Sequence, residues 1–277
     1  MHSAAHIPRV RSATPRDIRA LTRLCRAAAG PGDYVLAYLR EMITAREILV
    51  AEERGRIAAM MGVTPCLDRA LWLGQARTHP DFRRQGYAQR LVEAARVRAR
   101  REGRPALRLW TSERNLAARR LAEATGFRRV AVFTRRVAST RRGPSGLRTS
   151  RRVAVALRLW RRSLFCRQGK GYISYQWHFL PLTQKVLKKM AARSELLVGQ
   201  KIAVVLWPED ERKTAFAAVL AGGQQGLTAA RQAAGERGYA AVQTFLPRDP
   251  RIVRWARRAG FFKGSWGTRA VLYERRV

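Results

Sequence analysis

Residues 77–91, RTHPDFRRQGYAQRL, combine basic side chains with small residues at the predicted start of a helix. Arg83 and Arg84 come just before Gly86 and Ala88, and the residues that precede them are typical of a strand end. A helix N-terminus presents unpaired backbone N–H groups and the positive end of the helix dipole, which suits an anion. Arginine can bind two phosphate oxygens at once. The segment therefore predicts a phosphate-binding turn.

Helix and strand patterns alternate around this turn, as apolar spacing and turn residues indicate. We predict strands at about 8–14, 47–53, 56–65, 70–78, 106–111 and 128–137, and helices at 15–29, 34–45, 86–102 and 115–125. This order predicts an α/β fold with a mixed sheet flanked by helices.

The second half of the chain repeats part of the first. Residues 106–127 align without gaps with residues 240–261, and both segments end in the same Gly-Phe pair after a strand-turn-helix pattern. A loop rich in Gly, Ser, Pro and Arg lies between the copies at 139–152. We therefore predict a duplicated fold with one domain at 1–145 and a second at 146–277.

One segment after this loop fits two kinds of element. Val153, Val155 and Leu157 alternate as in a strand, while Val153, Leu157 and Trp160 also share one face of a helix. We predict a strand; the alternative is a basic amphipathic helix.

Composition limits the class of protein. Lys and Arg number 56 against 19 Asp and Glu, a net charge of +37, while 47% of the residues are hydrophobic. A chain of this kind can build real cores and attracts polyanions such as nucleic acid or a phosphorylated cofactor. No apolar stretch is long enough for a membrane span and none resembles a signal peptide, and the three cysteines lack CxxC spacing. We expect a cytoplasmic protein without disulfides or a metal site.

The spacing Arg83-x-x-Gly86-x-Ala88 resembles the Q/R-x-x-G-x-G/A signature for acetyl-CoA in the GNAT (GCN5-related) N-acetyltransferases. The lead-in THPDFR and the segment NLAARRLAEATGF at 115–127 resemble two further motifs of that family. The resemblance covers residues 9–137. It implies a GNAT-type sheet that splays between the strands at 70–78 and 106–111, with acetyl-CoA as the cofactor, and it makes the whole chain a tandem GNAT protein.

The resemblance also implies which residues hold acetyl-CoA. Backbone groups at the strand end would bind the pantetheine arm and the thioester oxygen, and the helix start would bind the pyrophosphate. The implied set is Ala76, Arg77, Thr78, Arg83, Arg84, Gln85, Gly86, Tyr87, Ala88, Gln89, Asn115 and Ala118. Asn115 is explained equally well as a helix N-cap.

The sequence identifies no catalytic acid or base. Where the family usually has a tyrosine, Leu121 is followed by Ala122, and the strand at 70–78 has no glutamate. The remaining candidates are Tyr87, Glu113 and Tyr34. Neutralising a lysine amine of pKa ~10.4 at pH 7 costs about 4.6 kcal/mol, against about 1.1 kcal/mol for an α-amine near ~7.8. We therefore expect a primary amine of low pKa to attack directly in a ternary complex, with water taking its proton.

The second copy departs from the family pattern. Its segment LAGGQQGLTAARQ, 220–232, has glycines that leave room for a phosphate but no preceding arginine, and Asp249 replaces the asparagine. We predict a degenerate domain without catalysis. The alternatives to an enzyme are a silent GNAT-fold protein that binds nucleic acid and a sensor of CoA. The sequence is compatible with a monomer or a homodimer and does not identify the acceptor.

Overall fold

A computed structural model describes residues 9–209, 213–264 and 269–277. Contacts divide the chain into two compact units: unit 1 comprises Met1–Leu109, Ala117–Arg128 and Glu274–Val277, and unit 2 comprises Trp110–Leu116 and Arg129–Tyr273. The assignment of two domains to 1–145 and 146–277 stays a prediction.

The first half of the chain alternates strands and helices in the predicted order. The elements are β1 (Arg9–Ser12), α1 (Ile18–Ala29), α2 (Val35–Thr44), β2 (Ile48–Glu53), β3 (Arg56–Pro65), β4 (Leu71–Thr78), α3 (Tyr87–Arg101), β5 (Ala106–Ser112), α4 (Leu116–Ala124) and β6 (Arg128–Ser139). The predicted elements of this half are confirmed, with the helix predicted at 15–29 starting as a 3-10 turn over Pro15–Asp17.

The second half continues the alternation after residue 139. The elements are β7 (Arg148–Thr149), α5 (Val153–Arg162), α6 (Leu164–Gln168), β8 (Tyr172–Tyr175), β9 (His178–Pro181), α7 (Gln184–Ala192), β10 (Leu196–Val198), β11 (Ala203–Glu209), β12 (Thr214–Ala221), α8 (Gly223–Glu236), β13 (Ala241–Pro247), α9 (Pro250–Arg258), β14 (Phe262–Lys263) and β15 (Arg269–Arg276).

The strand predicted after residue 152 is wrong, because α5 occupies that position. Val153, Ala156, Leu157 and Trp160 are the buried residues of this helix, and their spacing is that of a helix face. The apolar residues of this segment fit the two-residue period of a strand as well as the 3.6-residue period of a helix, and the structure adopts the helix. The predicted alternative of a basic amphipathic helix fits the exposed arginines on its other face.

The repeat seen in the sequence corresponds to matching elements. β5 and α4 in one copy correspond to β13 and α9 in the other. Gly126 and Gly260 follow the two helices with φ of 79° and 78°, a left-handed conformation that favours glycine. The next residue of each copy, Phe127 or Phe261, is buried. The shared Gly-Phe pair therefore has one structural role in both copies: it ends a helix and returns the chain to the core.

The strands of unit 1 follow the order β1-β2-β3-β4-β5-β15. β1 to β4 pair antiparallel, and β4 and β5 pair parallel. α1 and α2 bury their apolar faces on β2 and β3 in one core cluster. Arg108 of β5 is 3% exposed and ion-paired with Asp68 at 2.7 Å and Glu274 at 2.6 Å. Two carboxylates thus balance a buried guanidinium beside β4.

The strands of unit 2 follow the order β15-β6-β13-β12-β11-β10-β7, with β14 also paired to β6. β12 and β13 are parallel, whereas β6–β13, β6–β14 and β11–β12 are antiparallel pairs. β8 and β9 form a separate hairpin. Unit 2 therefore has the same parallel step between consecutive strands that unit 1 has between β4 and β5. Within the described ranges, no helix has the length and apolar character required to span a membrane.

Candidate functional site

α3 begins at a turn that leaves its first amide groups without acceptors. Gly86 precedes the helix with φ of 81°, and no side chain caps the helix there. In the described part of the chain, no hydrogen-bond acceptor takes the backbone N–H groups of Tyr87, Ala88 or Gln89. A methyl group added at Gly86 would meet nothing within 4 Å. The donors at this helix start therefore face open space, as binding of an anion requires.

The side chains of the turn hold its shape and keep its charge at the surface. Arg83 donates to the carbonyl of Ala28 at 3.3 Å, and Gln85 donates to the carbonyl of Asp81 at 2.8 Å. Arg84 is exposed and has φ of 61°. The two arginines predicted to bind phosphate thus lie three and four residues before the first free amide, that of Tyr87, on a turn fixed by hydrogen bonds.

β4 bulges just before this turn. Opposite β3 its register shifts, so that Gln75 and Ala76 both lie between the pairs Gly62–Gly74 and Met60–Arg77. Gln75 has φ of 47°, in the left-handed region. A bulge bends and twists a strand.

The pairing of β4 with β5 ends early. The parallel register comprises only Leu71 with Leu107 and Trp72 with Arg108, although β4 continues to Thr78. The backbone of β4 beyond Trp72 is therefore free of a strand partner on that side, among the residues that the structure describes. The predicted residues Ala76 and Thr78 lie on this unpaired stretch.

The side chain of Arg77 is committed to another partner. It forms two hydrogen bonds, at 2.7 and 2.6 Å, to the carboxylate of Asp33, whose side chain is 1% exposed. Its guanidinium carbon also lies 5.5 Å from the ring centroid of Tyr34. Burial alone would raise the pKa of Asp33, but the bonds from Arg77 outweigh it and hold the pKa below 3.8. Arg77 thus ties the loop before α2 to β4, and any contact it makes with a cofactor would come from its backbone.

Gln75 is a residue of the site that the sequence reasoning missed. Its Oε1 is buried without a hydrogen-bond partner in the described structure. A methyl group at Gly62 would clash with that oxygen, so an alanine there would force the Gln75 side chain to move. Neither the bulge nor this orphan oxygen has a local sequence signal, because both depend on pairing with β3.

The side chain of Tyr87 is committed to contacts with Phe82 and with β2. Its side chain is buried against Phe82, with ring centroids 5.6 Å apart, and its hydroxyl donates to Glu53 of β2 at 3.2 Å. Burial and then Glu53 raise the pKa of Tyr87 above its ordinary value. Glu53 belongs to β2, so the hydroxyl of Tyr87 is committed to a carboxylate of that strand.

Glu113 belongs to unit 2, where its carboxylate is paired with arginines. Its carboxylate lies 2.7 Å from Arg269 and 3.8 Å from Arg248. The hydrogen bond from Arg269 lowers the pKa of Glu113 below its ordinary value. A carboxylate with a lowered pKa and a committed partner is a poor general base.

Asn115 and Ala118 lie at the start of α4. Asn115 directly precedes the helix, and its backbone N–H donates to the carbonyl of Ser112 at 2.9 Å. Both explanations of Asn115, an N-cap and a cofactor contact, stay open at this position. Ala122, which replaces the family's usual tyrosine, is 1% exposed.

The corresponding helix start in unit 2 is filled by packing. Gly222 precedes α8 with φ of 103°, as Gly86 precedes α3. A methyl group at Gly222 would lie 2.8 Å from Ile202, and one at Gly226 would lie 2.4 Å from the carbonyl oxygen of Ala221. A methyl group at Gly223 would lie 3.6 Å from a ring carbon of Trp255. The glycines of 220–232 thus allow close packing of α8 on β12.

Asp249 has a structural role in unit 2. It caps α9, and its side chain accepts the backbone N–H groups of Arg251 at 2.8 Å and Ile252 at 3.2 Å. This carboxylate is 9% exposed. Across the described ranges, no group of three or more His, Cys, Asp or Glu residues is placed to hold a metal ion.

Part of the sequence, most of it within unit 1, matches a known family. Residues 17–127 match the pattern that defines the Acetyltransferase (GNAT) family. This part of the chain is therefore a GNAT domain, and the resemblance drawn from the turn at Arg83–Ala88 is confirmed.

One curated relative and two solved structures extend the comparison. The chain is 34% identical over 117 residues to a mycothiol acetyltransferase of Mycolicibacterium gilvum. The aligned residues cover 40% of this chain and 37% of the relative's length. A GCN5-related N-acetyltransferase of Sphaerobacter thermophilus superposes with a TM-score of 0.62 at 18% identity, covering 99% of this chain and 97% of the other. A tandem GNAT protein of the clavulanic acid biosynthesis pathway superposes with a TM-score of 0.53 at 15% identity, covering 98% and 97%. The chain thus has the fold of a tandem GNAT protein along nearly its whole length.

Proposed function

We propose that the chain is an acetyl-CoA-dependent N-acetyltransferase that transfers an acetyl group to a primary amine. The observation that carries this proposal is the open start of α3, with its free amides, immediately after the unpaired stretch of β4. Membership of residues 17–127 in an acetyltransferase family and a relative named as an acetyltransferase support it.

The residues at this helix start fit the phosphates of CoA. Within the part of the chain that the structure describes, the N–H groups of Tyr87, Ala88 and Gln89 have no competing acceptor and the space above Gly86 is open. Arg83 and Arg84 add two positive charges beside them, which favours a diphosphate. Backbone groups of Ala76 and Thr78 would hold the pantetheine arm, and acetyl-CoA would supply an acetyl thioester there.

The proton chemistry follows from the groups that the chain does and does not offer. Glu113 is bound by Arg269, and the hydroxyl of Tyr87 is bound by Glu53. Neither group is free to accept a proton from an acceptor at β4. We therefore propose that the amine arrives neutral and attacks the thioester carbonyl directly in a ternary complex. The C–S bond then breaks, CoA leaves as its thiolate, and water takes the proton of the amine. Positioning of the two reactants then supplies much of the rate.

The first experiment measures thiol release from acetyl-CoA by the full-length chain with amines of different pKa. We expect turnover with an α-amine to exceed that with a lysine side-chain amine at pH 7, because less energy is needed to neutralise it. Titration calorimetry on the same preparation should show one acetyl-CoA bound per chain. Binding without thiol release from any amine would favour a CoA sensor, and no binding would overturn the proposal.

Two variants test the proton step. Tyr87→Phe and Glu113→Gln should each leave kcat/KM within about threefold of the parent, since neither group contacts the reacting atoms in this mechanism. A loss of several orders of magnitude in either variant, with acetyl-CoA affinity unchanged, would show that the mechanism uses a protein acid or base.

A further inference from the structure

Arg136 of β6 is a buried arginine without a counter-charge. It is 6% exposed, and among the described residues no carboxylate pairs with it and no acceptor takes its guanidinium. Arg108, which is 3% exposed, is balanced by two carboxylates. The guanidinium nitrogens of Arg136 are not among the fully enclosed atoms that lack a hydrogen-bond partner, so they keep contact with solvent. A largely buried charge without a counter-charge is unfavourable, and proteins nearly always compensate it.

The two residues paired with Arg136 across the sheet are also polar. Thr244 of β13 is its antiparallel partner on one side, and Lys263 of β14 is its partner on the other. Directly opposed residues of antiparallel strands place their side chains on the same face, about 5 Å apart at Cβ. Thr244 is 0% exposed, and its Oγ1 has no hydrogen-bond partner in the described structure. A buried hydroxyl without a hydrogen-bond partner therefore lies beside the guanidinium of Arg136.

A third cation approaches from α9. Arg257 lies in the last turn of this helix and is exposed. Burial, and then the charge of Arg257, lower the pKa of Arg136 below its ordinary value. Two positive side chains and one unpaired hydroxyl thus lie in register across β13, β6 and β14, and Arg257 of α9 is close enough to act on Arg136 electrostatically. Their mutual repulsion would be relieved by an anion of more than one charge.

We propose that Arg136, Thr244, Lys263 and Arg257 form a binding site for a phosphate group. A phosphate carries up to two negative charges near neutral pH and presents several acceptor oxygens. A guanidinium can bind two of these oxygens at once, and the threonine hydroxyl and the lysine ammonium can donate to the others. This site lies on β6, β13 and β14 and is separate from the free amides at α3.

The test measures thermal unfolding of the full-length chain in phosphate-free buffer and with inorganic phosphate, at constant ionic strength. We expect phosphate to raise the melting temperature of the parent. Arg136→Met should remove most of this rise and leave the part contributed by the amides at α3. It should also melt above the parent without phosphate, because the uncompensated charge is gone. Arg151→Met removes one exposed charge elsewhere in unit 2 and should keep the full rise. Thr244→Val should weaken phosphate affinity several-fold in calorimetry.

Two further arms separate this site from others and identify the source of the phosphate. Gln89→Glu, which weakens anion binding at α3, should keep the response to phosphate. Replacing inorganic phosphate by a nucleoside monophosphate shows whether the site accepts a phosphate ester as well as the free ion. No rise in the parent, or an equal rise in Arg136→Met, would overturn the proposal.

Discussion

Two helix starts in this molecule have the same backbone plan and opposite environments. α3 follows β4 and α8 follows β12, each after a left-handed glycine, and each strand makes only a short parallel pair with the next one. At Gly86 an added methyl group would meet open space, whereas at Gly226 it would collide with the backbone of β12. The difference shows that glycine at a helix start permits either binding of an anion or close packing, and that the neighbours decide which.

The strands that precede the two helices also differ in how exposed their ends are. β4 ends in Ala76, Arg77 and Thr78, which are partly or fully exposed, while β12 is buried along almost its whole length. The side chains at the end of β12 are apolar and buried, so packing encloses this strand end. The second helix start shares the backbone plan of the first but has its space filled by side chains. This supports the proposal that the second domain is degenerate.

The largest effect should come from breaking the ion pair that fixes the end of β4. Arg77→Met leaves the buried carboxylate of Asp33 unpaired and should lower the free energy of unfolding by about 4 kcal/mol. Chemical denaturation measures this, and Arg77→Met combined with Asp33→Asn should restore part of the loss. An unchanged stability would show that the pair does not hold the loop before α2.

The same pair makes a pH prediction. The pKa of Asp33 is lowered in the folded state, so its stabilising effect is present above the unfolded value of 3.8 and is lost as the pH falls below that value. The parent should therefore lose stability below about pH 4, whereas Arg77→Met should lose less over that range. Parallel acid titrations, followed by circular dichroism, compare the two proteins.

The next effect compares the two glycines. Gly226→Ala places a methyl group 2.4 Å from the carbonyl oxygen of Ala221 and should destabilise the chain by about 3 kcal/mol. Gly86→Ala meets no atom and costs only the strain of its left-handed φ, about 1 kcal/mol. Equal losses in denaturant unfolding would contradict the difference in packing.

A smaller effect concerns binding and uses matched variants. Gln89 and Gln225 are both exposed and are both the third residue of their helices. Gln89→Glu should weaken acetyl-CoA binding at least about tenfold, or about 1.4 kcal/mol, because it adds a negative charge beside the proposed phosphate site. Gln225→Glu should leave the affinity unchanged. Calorimetry with both variants decides this, and similar losses would move the site away from α3.

The smallest effect concerns the cap of α9. Asp249→Ala should cost about 1 kcal/mol of stability, because two backbone N–H groups lose their acceptor. Asp249→Asn keeps an acceptor oxygen and should cost less than about 0.5 kcal/mol. If Asp249→Asn created a second acetyl-CoA site, the carboxylate rather than the packing at α8 would be what prevents binding in unit 2.

The sequence was sufficient for the features that depend on neighbouring residues. The helix and strand order of residues 9–139, the turn at Gly86 and the repeated Gly-Phe pair all follow from local spacing and turn residues, and the structure confirms them. The strand prediction for the segment after residue 152 was wrong, because its apolar residues fit both the strand period and the helix period. Burial of Ala156 in the core favours the helix.

The features that the sequence could not show depend on distant residues. Asp33 and Arg77 are 44 positions apart, and the bulge at Gln75 exists only in register with β3. The glycines of α8 were interpreted as room for a phosphate, yet their space is filled by Ile202 and Trp255. Local sequence does not distinguish an open glycine from a packed one.

The pairing of Arg108 with Glu274 affects how the protein is made. A ribosome releases residue 274 long after residue 108, so a nascent chain carries this arginine with one of its two carboxylates still missing. The edge of β5 also lacks its β15 neighbour until then. We expect unit 1 to reach its final stability only after synthesis passes residue 276, which makes stalled, shorter chains targets for chaperones and proteases.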